Sequence, residues 1–310
     1  MKEKFNLLAV KTANQTLKDA ALLPDPKYLY GNLVIEGEFV FMFAATGLGK
    51  TLFCIQIAIH IAYTQTVLYV DLELSDKQFE KRYRNEEGMH FQFPEKFFRA
   101  TFNQLSELRS DASYEQLFIE SLKERIRELK PKVLVLDNLT KAVAVSTEDA
   151  RGAIPILNSL DKIRREEEIT LIVIEHSRKT PDYQAISLCH LQGSMMKSNF
   201  CDSCWCLGKS VTQKNIRYVK QLKVRDSELI YDSENVLLYE ISRDAGFLGF
   251  KEIGFGREED LIRHGNNHTG DEKMHLIQKL KSEGLSNVKV AEALGCSEAA
   301  IRKWLKKAEQ

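Results

Sequence analysis

Residues 44–51 read Ala-Ala-Thr-Gly-Leu-Gly-Lys-Thr, with an apolar run, Phe39 to Phe43, before them and a long apolar segment, Leu52 to Ala62, after them. Strand, glycine-bearing loop and helix in that order form a phosphate cradle. Backbone N–H groups point inward and the new helix presents its positive end. Ala45, Thr46, Gly47, Leu48 and Gly49 make the loop, Lys50 reaches the outer phosphates, and the Thr51 hydroxyl is placed to hold Mg²⁺. The ligand this implies is ATP. Lys50 should stand partly exposed when no phosphate is present. The usual pattern opens on glycine, where this chain has Ala44; the chemistry resides in Gly49, Lys50 and Thr51. A glycine-rich turn before an ordinary core helix is the plainer alternative, and the strand–loop–helix context argues against it.

The chain has 310 residues, 44% of them hydrophobic, with 44 basic and 44 acidic side chains. That length suits one α/β domain of about 200–250 residues and a small appendage. A formal charge of zero leaves any DNA contact to a local patch rather than to bulk electrostatics. The first twenty residues lack the apolar core of a signal peptide. No run approaches the roughly 18 apolar residues of a membrane span. The expectation is therefore a cytoplasmic protein with no membrane partner.

Six cysteines do not make a disulfide scaffold. Cys189, Cys201, Cys204 and Cys206 cluster near His190. No second pair stands at finger-like spacing, and Cys204 and Cys206 alternate with Trp205 and Leu207 as in a buried strand. Both readings, metal site and buried strand, are carried forward.

From Gly37 onward, short apolar runs alternate with helical segments, which implies βαβ units and a parallel sheet. The expected strands are Phe39–Ala44, Val67–Asp71, Val133–Asp137, Leu171–Ile174 and Cys204–Gly208. Expected helices are Thr51–Tyr63, Lys77–Asn85, Tyr114–Leu129 and Ile154–Glu167. Beyond Lys209, the runs Ile216–Leu222, Leu229–Asp232 and Val236–Ile241 read as an antiparallel extension. The division is an irregular N-terminal segment over 1–30, an ATPase domain over 31–254, a polar linker over 255–270 and a second unit over 271–310.

Ligands of an open parallel sheet bind beyond the carboxyl ends of its strands, so each strand should deliver a polar residue there. VLYVDLELS delivers Asp71 and Glu73; Glu73, lying past the strand end, is the choice for the base that takes a proton from the attacking water. KVLVLDNLT delivers Asp137, an acid after four apolar residues, suited to the Mg²⁺ hydration shell. LIVIEHSRK delivers His176, a candidate to touch the water or the γ-phosphate.

Together these stretches resemble the RecA-like motors of hexameric helicases, of the DnaB and plasmid RepA type. FVFMFAATGLGKTLFCIQIAIHIA resembles their P-loop region, where the DnaB type also carries Ala in the opening position. VDLELSDKQFEKRY resembles the stretch after the catalytic glutamate, which makes Gln78 and Arg82 nucleotide-site residues. EHSRK resembles the RepA-type sensor strand, and LQGSMMKSNFCDSCWCL the Gly-Ser loop and helix that face DNA. Lys223-Val-Arg225 matches the Lys-x-Arg pair that reaches a neighbouring subunit's ATP. The resemblance covers about residues 30–245 and implies a homo-oligomer, with a hexamer favoured. The extended N-terminal domain of replicative helicases has no counterpart in it.

The string VKVAEALGCSEAAIRKWL resembles a helix-turn-helix. Ala291 is small where helices cross, Gly295 sits in the turn, Ser297 caps the third helix and Ile301 packs back. Met274, Ile277 and Leu280 share a face of the first helix. Over Ser297–Lys307 there are four basic residues, Arg302, Lys303, Lys306 and Lys307, against one acidic, Glu298. DNA is the implied partner, held mainly through phosphates.

The expected fold is an α/β, RecA-like P-loop NTPase with a parallel central sheet, an antiparallel extension and a small all-α helix-turn-helix domain. The expected function is a DNA-associated ATPase, an oligomeric RepA-like motor or helicase-like protein. The alternatives are an ATP-switched DNA-binding regulator or replication accessory protein without unwinding, and a recruitment adaptor of a mobile element.

Overall fold

The structure, a computed structural model, describes residues 8–102, 113–143, 150–178, 181, 183–192, 194–225, 227–244, 246–262, 270–294 and 297–308. In chain order the first elements are α1 (Ala13–Ala20), β1 (Tyr28–Tyr30), β2 (Val34–Ile35), β3 (Phe39–Ala44), α2 (Lys50–Ala62) and β4 (Val67–Asp71). Next come α3 (Asp76–Arg82), β5 (Phe97–Ala100), α4 (Tyr114–Leu129), β6 (Val133–Asp137), α5 (Leu139–Ala142), α6 (Ala150–Glu166) and β7 (Thr170–His176). A 3₁₀ turn, Leu188–His190, leads to α7 (Ser194–Phe200), β8 (Ser203–Lys209), β9 (Ile216–Lys223), β10 (Val236–Asp244) and β11 (Phe247–Gly256). The chain continues through α8 (Glu258–Leu261), α9 (Gly270–Ser282), α10 (Asn287–Ala293) and α11 (Glu298–Ala308).

The main sheet runs β11-β10-β9-β8-β3-β7-β6-β4-β5. From β8 to β5 all neighbours are parallel, and β9 to β11 add an antiparallel meander. The parallel strands are apolar on both faces because both faces are covered. Val40, Met42, Val135, Ile172 and Trp205 pack on the side of α2, whereas Phe39, Phe41, Phe43, Leu134 and Val173 pack on the side of α6. Cys204 and Cys206 fall on the second face and Trp205 and Leu207 on the first, all fully buried, as the strand reading requires. No group of three or more His, Cys, Asp or Glu able to hold a metal occurs among the described residues.

Helix α2 is apolar nearly all round because it is covered twice, by the sheet beneath and by β11 above. Gln56 completes that cover. Its amide donates to the Phe250 carbonyl at 2.8 Å and accepts from the Phe250 N–H at 2.7 Å, a strand-like pairing made by a side chain.

Residues 13–20 form a helix, α1, so the N-terminal segment is not simply irregular. Edge strand β5 was missed because its burial is mixed rather than alternating. Leu229–Asp232 is not a strand; Gln221 Oε1 accepts from the N–H groups of Ile230 and Tyr231 and holds a bend there. The expected linker begins too early. Phe255 and Gly256 still pair with Leu237 and Val236, and Glu258 is fixed by Lys220 Nζ at 2.5 Å, the Tyr218 hydroxyl at 3.0 Å and the Ile186 N–H at 2.8 Å. Residues 263–269 of that linker lie outside the described residues.

The tail has its own core. Ile277, Val290, Ala291 and Ile301 are buried together, with Leu280, Leu285, Leu294, Trp304 and Leu305 around them. Gly295 lies outside the described residues. Ser297 Oγ accepts from the Ala300 N–H at 3.2 Å, the cap expected of it.

Candidate functional site

After β3 the chain turns through Gly47 (φ 80°) and Gly49 (φ 101°) before α2 begins at Lys50. Both lie in the left-handed region that glycine reaches without steric cost. A Cβ on Gly49 would also stand 2.9 Å from Phe250 Cζ. Beside the loop lies a cavity of about 350 Å³ lined by residues 46–52 together with Glu73, Arg82, His176, Ile241 and Leu248. Ala45 borders a separate, smaller cavity of about 70 Å³ with Pro181 and Ile186.

Strand register explains why distant residues meet here. Ala44 stands opposite His176 across β3 and β7, and Asp71 opposite Asp137 across β4 and β6; the β6–β7 register sets Asp137 two residues short of His176, so the polar strand ends emerge on the same side of the sheet. Lys50 is only 6% exposed, contrary to the expectation of partial exposure. Its Nζ donates to the Ala44 carbonyl at 3.3 Å and lies 3.1 Å from His176 Nδ1. Burial pushes its ammonium below the usual lysine range, against the pull of Glu73 and Asp137.

Asp137 is fully buried. Its Oδ2 accepts from the Tyr69 hydroxyl at 2.8 Å, and the Thr51 hydroxyl also bonds the carboxyl group. Burial raises its pKa to about 6. Its Oδ1 is buried without a hydrogen-bond partner. An orphaned carboxylate oxygen beside a threonine hydroxyl fits a hydrated divalent cation of the Mg²⁺ kind.

The two acids at and just beyond the end of β4 have different fates. Asp71 is tied by the Arg99 Nε at 2.9 Å and accepts from the N–H groups of Glu73 and Leu74. It is a turn-former, neutralised by Arg99. Glu73 instead lines the cavity. Its Oε1 accepts from Asn138 Nδ2 and lies 3.5 Å from His176 Nε2. The contact with His176 is the main reason its carboxyl titrates below the usual range. Free of the Arg99 tie, it is the better placed of the two for base chemistry.

Arg82 lines the cavity from α3, whose end is held by Arg243 donating to the Arg84 carbonyl at 2.9 Å. Gln78 does not line the cavity. It closes a capping box with Ser75 at the start of α3. Lys223 and Arg225 lie elsewhere. Lys223 is opposite Cys204, at the edge of the sheet where β3 and β8 begin, remote from the cradle. Lys223 Nζ donates to the carbonyls of Ser198 and Cys201, each at 2.7 Å, and Arg225 pairs with Asp202 at 2.6 Å.

Sequence reasoning missed Asn138, Phe250, Ile241, Leu248 and the Lys197–Glu175 pair. That ion pair is fully buried at 2.6 Å, and Glu175 Oε2 accepts the His176 N–H at 2.8 Å. Asn138 had a legible signal, being the residue immediately after the strand-end acid; the others arrive through tertiary packing. On the tail, Lys303 and Lys306 are exposed. Arg302 is exposed but tied to Glu298 at 2.7 Å. The side chain of Lys307, like Gly193 of the Gly-Ser loop, lies outside the described residues.

A glycine-turned loop between β3 and α2 at the carboxyl edge of a largely parallel sheet, with acids at the ends of β4 and β6, gives the chain a RecA-like P-loop fold. The chain belongs to the AAA domain family, whose profile matches residues 2–182. A homeodomain-like domain profile matches residues 267–310. No curated protein matches the sequence. Among solved structures, it is similar to a DnaB-like replicative helicase described with its primase interactions. The TM-score is 0.52 at 16% identity, covering 69% of this chain and 57% of the helicase. A KaiC-like protein from the hyperthermophilic archaeon Pyrococcus horikoshii aligns at TM-score 0.49 and 18% identity, covering 72% and 94%. At 16% identity the likeness to the helicase is one of fold. No helix among the described residues is long and apolar enough to cross a membrane.

Proposed function

We propose that the chain is a DNA-associated ATPase, an oligomeric motor of the RepA-like kind that works with Mg²⁺ in the cytoplasm, with a hexamer the favoured assembly. The observation that supports this most directly is the convergence of Lys50, Asp137, Glu73 and His176 at one strand edge around the cradle. The ATPase unit runs from residue 31 through β11 and α8, whose Glu258 is tied to Lys220 and Tyr218, and 271–310 form the DNA-binding unit. On phosphate binding Lys50 exchanges the Ala44 carbonyl and His176 for the outer phosphates. Thr51 and Asp137 hold Mg²⁺, which when bound supplies neutralising charge at those phosphates. Glu73 takes the proton of the attacking water, and His176, leaving Lys50, contacts the γ-phosphate or that water.

Lys223 and Arg225 act on the ATP of an adjacent subunit. Their distance from their own cradle supports that reading. On the tail, Ser297, Arg302, Lys303, Lys306 and Lys307 meet DNA phosphates. The homeodomain-like tail also favours a second reading, an ATP-switched duplex binder without unwinding. A strand-displacement assay separates the two, since only a motor needs turnover to part strands.

The test of the ATPase itself is turnover with and without single- and double-stranded DNA. Glu73→Gln should retain nucleotide binding and lose about 10²–10⁴-fold in rate. A wild-type rate in that variant removes Glu73 as the base.

A further inference from the structure

We infer that Asn138 is a positioning residue that aims the Glu73 carboxylate at the attacking water. The consequence for catalysis rests on the ATPase reading; the geometry does not.

Asn138 is 1% exposed and its side-chain amide is spoken for at both ends. Oδ1 accepts the Lys141 N–H at 3.1 Å and so caps α5. With Oδ1 anchored, Nδ2 has one direction left, and that direction holds Glu73 Oε1, with His176 Nε2 at 3.2 Å. Helix α5 therefore orients the amide, and the amide orients the acid. Glu73 needs such a guide. It lies beyond the end of β4, its side chain is 31% exposed, and it has several rotatable bonds. A tie at Oε1 leaves Oε2 as the acceptor for a proton.

His176 is a poorer guide on its own. Its ring stands between Lys50 and Asn138, both donors, and a neutral imidazole accepts at only one nitrogen. Once phosphate draws Lys50 away, the ring is free to re-pair, whereas the Asn138 amide stays fixed by its cap. The charged groups around Glu73 are Lys50 on α2, Lys141 on α5, His176 on β7 and the Asp137 carboxyl of β6, with Arg82 on α3 lining the same cavity. Asp71 is committed to Arg99. A donor on a carboxylate favours its ionised form, so losing the amide should raise the pH at which Glu73 titrates.

Two variants separate aiming from architecture. Asn138→Ser keeps a good helix cap but cannot reach Glu73. Asn138→Asp keeps cap and shape but sets a second acid against the first. Carboxyl carbon NMR of nucleotide-free, glutamate-labelled protein follows Glu73, its signal assigned by its loss in Glu73→Gln. Glu73 should titrate at higher pH in the Ser variant and higher again in the Asp variant. The acid limb of the kcat–pH profile should move with it. Turnover should fall about 10²-fold in both, while the Kd for a fluorescent ATP analogue and the thermal midpoint of the Ser variant stay near wild type. An unmoved Glu73 titration in both variants, or a rate loss that only tracks lost folded protein, overturns the inference. A wild-type chain with no turnover sinks the ATPase reading, and the Glu73 titration then still decides Asn138's hold on that carboxylate.

Discussion

Asp137 is where pH meets stability most directly. Its folded value of about 6 lies above the ordinary 3.8, because burial disfavours the ionised form. Stability from this group is therefore complete below about pH 4 and is lost as pH rises through 6. Over that window the loss is roughly 3 kcal/mol at most. Denaturant titrations of nucleotide-free protein should show the wild type losing stability between pH 4 and 6.5 relative to Asp137→Asn, whose amide does not titrate. Parallel profiles for the two proteins would mean that Asp137 ionises freely and that its burial does not govern it. Lys50 carries the complementary cost, an ammonium held at 6% exposure by a carbonyl and an imidazole. Phosphate offers it a better partner than either, which gives binding a local driving force.

At the level of elements, β11 closes over the cradle through Phe250. Gly49 precedes α2 with φ 101°, and a Cβ there would stand 2.9 Å from Phe250 Cζ. Gln56 fixes Phe250 by both backbone groups. Gly49→Ala therefore suffers twice, from a backbone region alanine avoids and from a 2.9 Å clash. Gly47→Ala suffers only the first, as nothing lies within 4 Å. Strain of this kind costs about 1–3 kcal/mol. Thermal melts should place Gly49→Ala below Gly47→Ala, and Phe250→Leu added to Gly49→Ala should recover part of the gap. Equal midpoints for the two alanine variants would show that β11 yields at no cost.

Across the whole molecule, the cradle and the Lys223–Arg225 pair occupy opposite edges of the sheet. A cation pair so placed meets a γ-phosphate only when a second subunit brings one. Such fingers contribute about 10³–10⁵ in rate when complete. Hydrolysis should rise more steeply than linearly with protein concentration until oligomers saturate. Mixing Arg225→Ala with Lys50→Ala subunits should restore activity that neither shows alone, each supplying the half the other lacks. Specific activity independent of concentration, with no gain on mixing, would mean that each chain completes its own site and that Arg225 merely serves Asp202.

Much of this was legible without coordinates. The 44–51 loop between apolar runs, the continuous apolar strands and the acids at their ends are local patterns set by backbone chemistry. They yielded the sheet, the cradle, Glu73, Asp137 and His176, and helical spacing yielded the tail. Short or glycine-rich strands were not legible: β5 is half exposed, and β11 is read only once β10 pairs with it. The tertiary structure added the reason to prefer Glu73 over Asp71, because Arg99 comes from β5, 28 residues on, to pair with Asp71. It likewise turned Gln78 into a cap, buried Lys50, and brought Asn138 against Glu73 from 65 residues away. Charge pairing and burial depend on which strands lie side by side, and strand order is a property of the folded sheet rather than of any one stretch of chain.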